Sequence, residues 1–157
     1  MNITYRKAFI SDAEVLANTR LKLLEEDSGD MTDNERIWLY QNNKNYILDG
    51  ISKGSYFAFL AFDGETFVGT CSVCLYSVLP GRKLPNGKNA YLQNMFVTPQ
   101  YRRRGIGRSL VYLCINEALK LNHDRITLHA TQNGQQLFLN CGFKTPDKEK
   151  LLQMVYE

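Results

Sequence analysis

A turn rich in arginine and glycine joins a strand-like segment to a helix-like one in the middle of the chain. The stretch at residues 90–121 reads AYLQNMFVTPQYRRRGIGRSLVYLCINEALKL. Gly105 and Gly107 let backbone amides approach a ligand closely, and a helix that begins there points free N–H groups and the positive end of its dipole at that ligand. Four arginines add positive charge around the same point: Arg102, Arg103, Arg104 and Arg108. The turn is therefore predicted to bind an anion, and a pyrophosphate suits it well.

The spacing of these residues differs from that of two common phosphate-binding loops. The chain has no G-x-x-x-x-G-K followed by Ser or Thr, and Leu110 stands where a G-x-G-x-x-G fingerprint has its third glycine. Three consecutive arginines are also an alternative grip for nucleic-acid phosphate. No aromatic platform or extended basic stripe accompanies them, and the net charge is only +3. We therefore expect no nucleic-acid partner.

Hydrophobic periodicity predicts the elements that position this turn. Alternating or β-rich segments predict strands at residues 3–8, 55–62, 66–79, 90–98, 125–130 and 151–156. Helical spacing predicts helices at about 12–27, from Thr32 or Asp33 to Ile51, at 105–121 and at 132–140. The first of these helices begins with a capping-box pattern at Ser11 and Glu14. The resulting order is β-α-α-β-β-β-α-β-α-β, an α/β (α+β) fold with a mixed sheet and flanking helices.

Composition and cysteine usage are those of an ordinary soluble domain. The chain has 157 residues, 44% of them hydrophobic and 22% charged, which predicts a single domain over 1–157. Neither a secretory signal nor an apolar run of roughly 20 residues is present, so we expect a cytoplasmic protein with no membrane partner. Cys71 and Cys74 form a C-x-x-C, but a strand places them on opposite faces. Because no second pair or histidine cluster completes a site, we expect structural thiols and no metal.

Two segments resemble the GCN5-related N-acetyltransferase (GNAT) family. MFVTPQYRRRGIG at residues 95–107, with Arg102-x-x-Gly105-x-Gly107 at its centre, is similar to the acetyl-CoA signature of that family. The later residues Leu128-His129-Ala130-Thr131, Gly134, Leu137-Phe138 and Gly142-Phe143 match its fifth strand and following helix in the right order. The resemblance implies a mostly antiparallel sheet whose parallel fourth and fifth strands splay apart. It also implies acetyl-CoA as co-substrate.

The resemblance further implies which residues hold the cofactor. The backbone amides from Arg103 to Ser109, Ile106 among them, would bind the pyrophosphate of CoA. The backbone of Phe96 and Val97 would pair with pantetheine, and an N–H near them would polarise the thioester carbonyl. Asn133 could touch the pantetheine arm, with a helix cap as the alternative role.

The base for the reaction is not evident from the residues. An acceptor amine with a pKa of roughly 10 must lose a proton before it attacks the thioester. In the family that this chain resembles, the base often comes from strand four, where Tyr91 and Gln93 share one face and Asn94 lies opposite. None is a carboxylate or a histidine, so a relay through water or a base from elsewhere is favoured. His129 is a candidate base or a strand histidine satisfied by its neighbours.

The acid is not evident either. The family's acid tyrosine, four residues before the Gly-Phe pair, corresponds to Phe138, which has no proton to give. We therefore count Phe138 only as a cofactor contact at the catalytic position. Tyr112, Cys141 or solvent could take over the protonation of the departing thiolate.

Two classes of function follow from these residues. The first is an N-acetyltransferase that acts on a primary amine of a small molecule or peptide by direct transfer in a ternary complex. The second, favoured by Phe138 and Gln93, is a CoA-binding module without efficient chemistry. We prefer the enzyme because positioning a thioester beside an amine supplies much of the rate. A homodimer is left open.

The acceptor site is the least defined part of the sequence. Six acids lie between Glu25 and Glu35, and they are either a solvated inter-helix loop or an electronegative mouth for a cationic amine. The architecture that the resemblance implies favours the second interpretation. Trp38, Tyr40 and Tyr46 are candidates for lining the same mouth.

Overall fold

The computed structural model describes residues 1–146. The strands are β1 (Ile3–Lys7), β2 (Tyr56–Asp63), β3 (Thr66–Ser77), β4 (Lys88–Val97) and β5 (Arg125–Thr127). The helices are α1 (Ala13–Ser28), α2 (Asp33–Lys53), α3 (Ile106–Lys120) and α4 (Gln135–Asn140). This is the predicted order of elements, and the strand predicted at 151–156 lies outside the described residues. None of the helices within 1–146 is long and apolar enough to cross a membrane.

The five strands form one sheet in the order β1-β2-β3-β4-β5. Neighbours are antiparallel except β4 and β5, which are parallel. The parallel ladder is short and ends where Tyr91 pairs with Thr127, although β4 continues to Val97. The predicted sheet, mostly antiparallel with parallel strands that splay apart, is confirmed. β5 ends before the predicted Ala130, and this early end opens the cleft beside β4.

Helices cover both faces of the sheet. On one face, Leu92 of β4 packs in a buried cluster with residues of α3 and α4, including Leu110 and Phe138. On the other face, a second cluster joins α1 and α2 to the sheet. Because neighbouring residues of a strand face opposite sides, Cys71 belongs to the first cluster and Cys74 to the second. Both are free thiols, as expected from their strand position.

A β-bulge interrupts β4 beside the cleft. Asn94 and Met95 both lie opposite Cys71 of β3, and Asn94 adopts a left-handed φ of 54°. A non-glycine residue in this region costs on the order of 1–3 kcal/mol unless its surroundings hold it there. The Asn94 side chain is held by its Nδ2, which donates to the Leu16 carbonyl at 3.3 Å. The extra residue shifts the alternation of β4, so that Met95 and Leu92 both pack toward α3.

The start of α1 differs from the predicted capping box at Ser11 and Glu14. A 3-10 turn at Ile10–Asp12 precedes the helix, and the Asp12 carboxylate accepts from the Phe9 amide at 2.7 Å. Arg6 donates to both carboxylate oxygens of Asp12, at 2.7 and 2.8 Å. The Ser11 prediction was wrong because the neighbouring carboxylate is a stronger acceptor and also pairs with a cation. At α2, the Thr32 alternative is confirmed by reciprocal bonds between Thr32 and Glu35.

Asp12 should contribute a pH-dependent part of the stability. The hydrogen bonds from Arg6 lower the pKa of Asp12, so its stabilisation is present above the ordinary carboxyl pKa of roughly 4 and is lost as pH falls through the lowered value. Asp12→Asn should reduce the free energy of unfolding by roughly 1–2 kcal/mol at neutral pH, and by less as the pH falls through the lowered pKa of Asp12. Asp49→Asn, which removes an exposed pair with Lys53, is the control and should cost less than ~0.5 kcal/mol. Equal urea unfolding curves for the Asp12 variant and the parent at neutral pH would contradict this account.

Candidate active site

The arginine- and glycine-rich turn lies between the end of β4 and the start of α3. Arg103 and Gly105 adopt left-handed φ values of 65° and 82°, and Gly105 is the N-cap of α3 with no side-chain cap. The Ser109 amide donates to the Gly105 carbonyl at 3.0 Å as the helix begins. The amides of residues 106–108 therefore have no acceptor within the helix. A Cβ at Gly105 would meet no atom of the described residues within 4 Å, so the turn is open to a ligand.

Arg102 ties this turn to the strand. Its Nε donates to the Val97 carbonyl at 2.8 Å, and its Nη2 lies 3.6 Å from the Glu26 carboxylate. Both contacts use protein groups, so Arg102 supports the turn from behind. Of the arginines predicted to bind the cofactor, Arg102 is therefore the least available for a direct contact.

The remaining arginines surround the turn and are exposed. The Arg104 guanidinium lies 5.8 Å from the centre of the Tyr101 ring, and that of Arg108 lies 5.5 Å from the centre of the Tyr112 ring. Stacking on an aromatic face orients a guanidinium while leaving its N–H donors at the edge available. Together with Arg103, these exposed side chains give the turn a positive charge.

Only one of the two predicted backbone contacts on β4 faces the cleft. The Thr98 amide donates to the Val68 carbonyl of β3 at 2.9 Å. Because alternate residues of a strand direct their backbone groups to opposite neighbours, Phe96 also faces β3 and Val97 faces away from it. Both residues have partners on β3, Thr70 for Phe96 and Gly69 for Val97, so the direction of the backbone groups is what distinguishes them. Within the described part of the chain, no strand lies beside the Val97 amide.

Gly107 permits close packing of α3 as well as backbone approach. A Cβ there would lie 3.2 Å from Met95 Cε and 3.3 Å from Leu137 Cδ2. The side chain of Ile106 is buried beneath the same helix end, so only its backbone is available to a ligand. The first turn of α3 is thus held against β4 and α4 by apolar contacts while its amides face outward.

Phe138 and Asn133 lie on the α4 side of the cleft. Phe138 is 8% exposed and packs edge-on against Phe143, with ring centres 5.9 Å apart. Helix α4 begins after Gly134, whose amide donates to Thr131 Oγ1 at 3.3 Å. Asn133 is exposed and does not cap the helix, so the alternative role considered for it is wrong. Its predicted contact with the pantetheine arm stays a prediction.

A cavity of about 490 Å³ lies on the other face of the sheet, between α1, α2 and the middle of β4. We call it the Tyr91 cavity. Its polar lining includes Arg20, Asn43, Tyr46, Tyr91 and Gln93. The two positions at which a base was expected, Tyr91 and Gln93, therefore lie together at one concave site. Of the three aromatic candidates, Tyr46 lines the cavity, Tyr40 packs in the core beneath α2 and Trp38 is exposed.

Gln93 and Tyr46 are both engaged with a buried thiol. Gln93 Nε2 lies 2.7 Å from Cys74 Sγ, and the Tyr46 hydroxyl lies 3.3 Å from the same sulfur. The hydrogen bond to Cys74 and partial burial raise the pKa of Tyr46 to about 12, and burial raises the pKa of Cys74. Neither the phenol nor the thiol is therefore ionised near neutral pH. This corner of the cavity holds its side chains in place but offers no base.

Tyr91 and His129 form a pair across the gap between β4 and the segment after β5. The Tyr91 hydroxyl lies 2.8 Å from His129 Nδ1, and the two ring centres are 5.7 Å apart. Tyr91 is the last β4 residue paired with β5, and His129 follows Thr127 by two positions. The other histidine, His123, lies beyond the end of α3 with its Nδ1 2.8 Å from the Leu121 carbonyl oxygen. The sequence identified Tyr91 and His129 separately, and their contact depends on the early end of β5.

The acids between α1 and α2 are used away from the Tyr91 cavity. Glu25 pairs with Arg36, and Glu35 belongs to the capping box of α2. Glu25 and Glu26 line a second cavity of about 670 Å³ beside Phe96. No carboxylate of the described residues lines the Tyr91 cavity, so an electronegative mouth is not formed there. Arg20, which the sequence analysis did not identify, is the charged residue in its wall.

The comparisons with known proteins identify the family. The chain matches the model of the Acetyltransferase (GNAT) family over residues 20–143. The chain belongs to the GNAT acetyltransferase family. The match confirms the resemblance that the sequence indicated.

Solved structures of GNAT proteins share the fold. A predicted acetyltransferase from Clostridium acetobutylicum, determined with acetyl-CoA, is 23% identical with a TM-score of 0.85, over 98% of this chain and 96% of that one. A GCN5-related N-acetyltransferase from Ralstonia eutropha JMP134 is 23% identical with a TM-score of 0.82, over 98% and 99% of the two chains. Glucosamine-6-phosphate N-acetyltransferase from Arabidopsis thaliana is 17% identical with a TM-score of 0.67, over 100% and 99%. A search of curated protein sequences finds no significant match.

Proposed function

We propose that the protein transfers the acetyl group of acetyl-CoA to a primary amine of a small acceptor by direct attack in a ternary complex. The observation that carries this proposal is the position of Tyr91. It lies at the mouth of the cleft beside β4 and also in the wall of the Tyr91 cavity. A donor bound in the cleft and an amine bound in the cavity would therefore meet at this residue. The acetyl-CoA bound to the Clostridium acetobutylicum protein supports the choice of donor.

The residues of the cleft fit CoA chemically. The amides of residues 106–108, with Arg103, Arg104 and Arg108 around them, suit a pyrophosphate. The Val97 amide suits a carbonyl of pantetheine or of the thioester, as a donor aimed at developing negative charge. When bound, acetyl-CoA supplies an activated acyl carbon. The protein would hold acetyl-CoA in place and prevent the hydrolysis of its thioester by bulk water.

Tyr91 and His129 are the groups best placed to remove a proton from the acceptor. With no carboxylate among the described residues that line the Tyr91 cavity, we assign the first proton transfer to the Tyr91 hydroxyl, which passes its own proton to His129 Nδ1. A positioned base typically contributes about 10²–10⁴-fold to the rate. Gln93, tied to Cys74, would orient the acceptor rather than take its proton.

The departing thiolate receives its proton from solvent in this proposal. Phe138 has no proton to give and packs against Phe143. Burial raises the pKa of Cys141, which keeps that thiol protonated but makes it a weak acid. Since a thiol has a pKa of roughly 8.5, the thiolate of CoA is an acceptable leaving group near neutral pH. The alternative function, a CoA-binding module without efficient chemistry, has Phe138 as its main support, and the Tyr91–His129 pair weighs against it.

The function is tested by the release of free thiol from acetyl-CoA over a panel of small amines. We expect acceptor-dependent release, and Gly105→Val should weaken CoA binding at least ~10-fold by distorting the open turn. The control Gly54→Val introduces the same strain, since Gly54 also has a left-handed φ of 72° and open space around it. It should lose similar stability but keep its CoA affinity in calorimetry. Tight CoA binding with no acceptor-dependent thiol release would overturn the enzyme proposal, and unchanged affinity in the Gly105 variant would overturn the cofactor site.

The proton relay has its own kinetic test. Tyr91→Phe and His129→Gln should each lower kcat about 10–100-fold, with little change in the KM for acetyl-CoA, and should alter the pH profile of kcat. Because the two groups act in series, the double variant should be no slower than the worse single variant. His123→Gln, which removes the histidine beyond α3, should leave the rate and the profile unchanged. A His129 variant with the parent's rate and pH profile, or multiplicative effects in the double variant, would argue against the relay.

A further inference from the structure

The inward face of α1 carries one residue that does not match its neighbours. Leu16, Ala17 and Leu21 of this face are at most 3% exposed. Arg20 follows Leu16 by four positions and precedes Leu21, so it lies on the same side of the helix. It is partly buried and lines the Tyr91 cavity. The guanidinium of an arginine that faces a sheet loses part of its hydration. A partner must offset the free-energy cost of this desolvation.

The protein does not supply a carboxylate partner for Arg20 among the described residues. The ion pairs between residues 1 and 146 use other cations, namely Arg6, Lys7, Arg36, Lys53 and Arg102. The charge nevertheless acts inside the site. Burial raises the pKa of Cys74, and the positive charge of Arg20 works in the opposite direction on that thiol. Arg20 thus brings to the wall of the cavity a positive charge that no carboxylate of the described residues pairs with.

The rest of the cavity suits a compact organic molecule. Tyr46, Tyr56, Tyr76 and Tyr91 contribute aromatic surface, and Asn43 contributes an amide. A volume of about 490 Å³ is within the range of small-molecule sites, which combine an apolar lining with a few polar groups that fix orientation. A molecule with a net positive charge would meet no carboxylate among the described residues of the lining and would be repelled by Arg20.

We infer that Arg20 is the anion-binding residue of the acceptor site, and that the acceptor is a small amine that also carries a carboxylate or a phosphate. The guanidinium would bind that oxyanion through paired N–H donors, which leaves the amine to face Tyr91. This inference rests on the proposed function, because it assigns the second substrate of the same site. It replaces the expectation of a cationic acceptor. Two of the acids on which that expectation rested, Glu25 and Glu26, line the second cavity instead.

Matched pairs of acceptors test the inference in the purified protein. β-Alanine is compared with β-alaninamide, and O-phosphoethanolamine with ethanolamine, so that each pair differs in the anionic group. The two pairs also distinguish a carboxylate from a phosphate. In the parent protein, kcat/KM for the preferred amine with an anionic group should exceed that for its partner without that group at least ~10-fold. Arg20→Gln should remove this preference mainly by raising the KM of the acceptor, and Arg20→Lys should restore part of it.

A control variant separates this effect from a general loss of charge. Lys120→Gln removes one positive charge from the exposed end of α3, on the other face of the sheet. It should leave the preference unchanged. A parent protein that prefers β-alaninamide and ethanolamine, or an Arg20→Gln variant that keeps the parent's preference, would overturn the inference.

Thermal unfolding of the CoA complex provides a second readout that needs no turnover. The preferred anionic amine should raise the Tm of the parent protein but not that of Arg20→Gln, and the variant without ligand should be at least as stable as the parent. If no amine is acetylated while an anionic amine still stabilises only the parent, the proposed function fails and the anion site stands. Equal shifts in the parent and the variant, or no shift in either, would overturn the anion site itself.

Discussion

The short parallel ladder between β4 and β5 is the constraint on which the rest of the structure depends. Hydrogen bonding between these strands ends at Tyr91 and Thr127, and β4 then continues to Val97 along an open edge. Open strand edges need partners for their backbone groups. Arg102 donates to the Val97 carbonyl, whereas the Val97 amide faces the cleft. Among residues 1–146, the Val97 amide is thus a free donor, and in the proposed function it lies where the acyl group would bind.

The same break in pairing connects the two faces of the sheet. On the face covered by α3, the bulge at Asn94 directs Met95 into the core beneath the first turn of the helix, and this fixes the open amides of α3. On the face covered by α1 and α2, Tyr91 and Gln93 form part of the wall of the Tyr91 cavity. The proposed acetyl-CoA site and the proposed amine site can therefore use the same strand, β4, while different side chains bind the two substrates. In the proposed function, the reaction would take place at the residues where the strands separate.

The parts of this arrangement that are local in sequence could be predicted from it. Periodicity predicts the strands and helices, and glycines among arginines after a strand predict an anion-binding turn. The parts that could not be predicted depend on how distant segments pack. Ser11 and Asp12 are adjacent candidates for one helix start, and only the position of Arg6 decides between them. The contact between Tyr91 and His129 exists because β5 ends early. Arg20 could have been noticed as a charge on an otherwise apolar helix face, but only the placement of α1 over β4 shows that a cavity lies beneath it.

The proposed function requires CoA to bind along the open edge of β4 and at the start of α3. It is tested most directly by following the backbone amide resonances of the isotopically labelled protein as CoA is added. The largest changes in chemical shift, and new protection from hydrogen exchange, should occur at Val97 and at residues 105–108. The Phe96 amide, which faces β3, should remain protected with and without CoA. Changes centred on the second cavity beside Glu25 and Glu26, with Val97 and the start of α3 unaffected, would contradict the account.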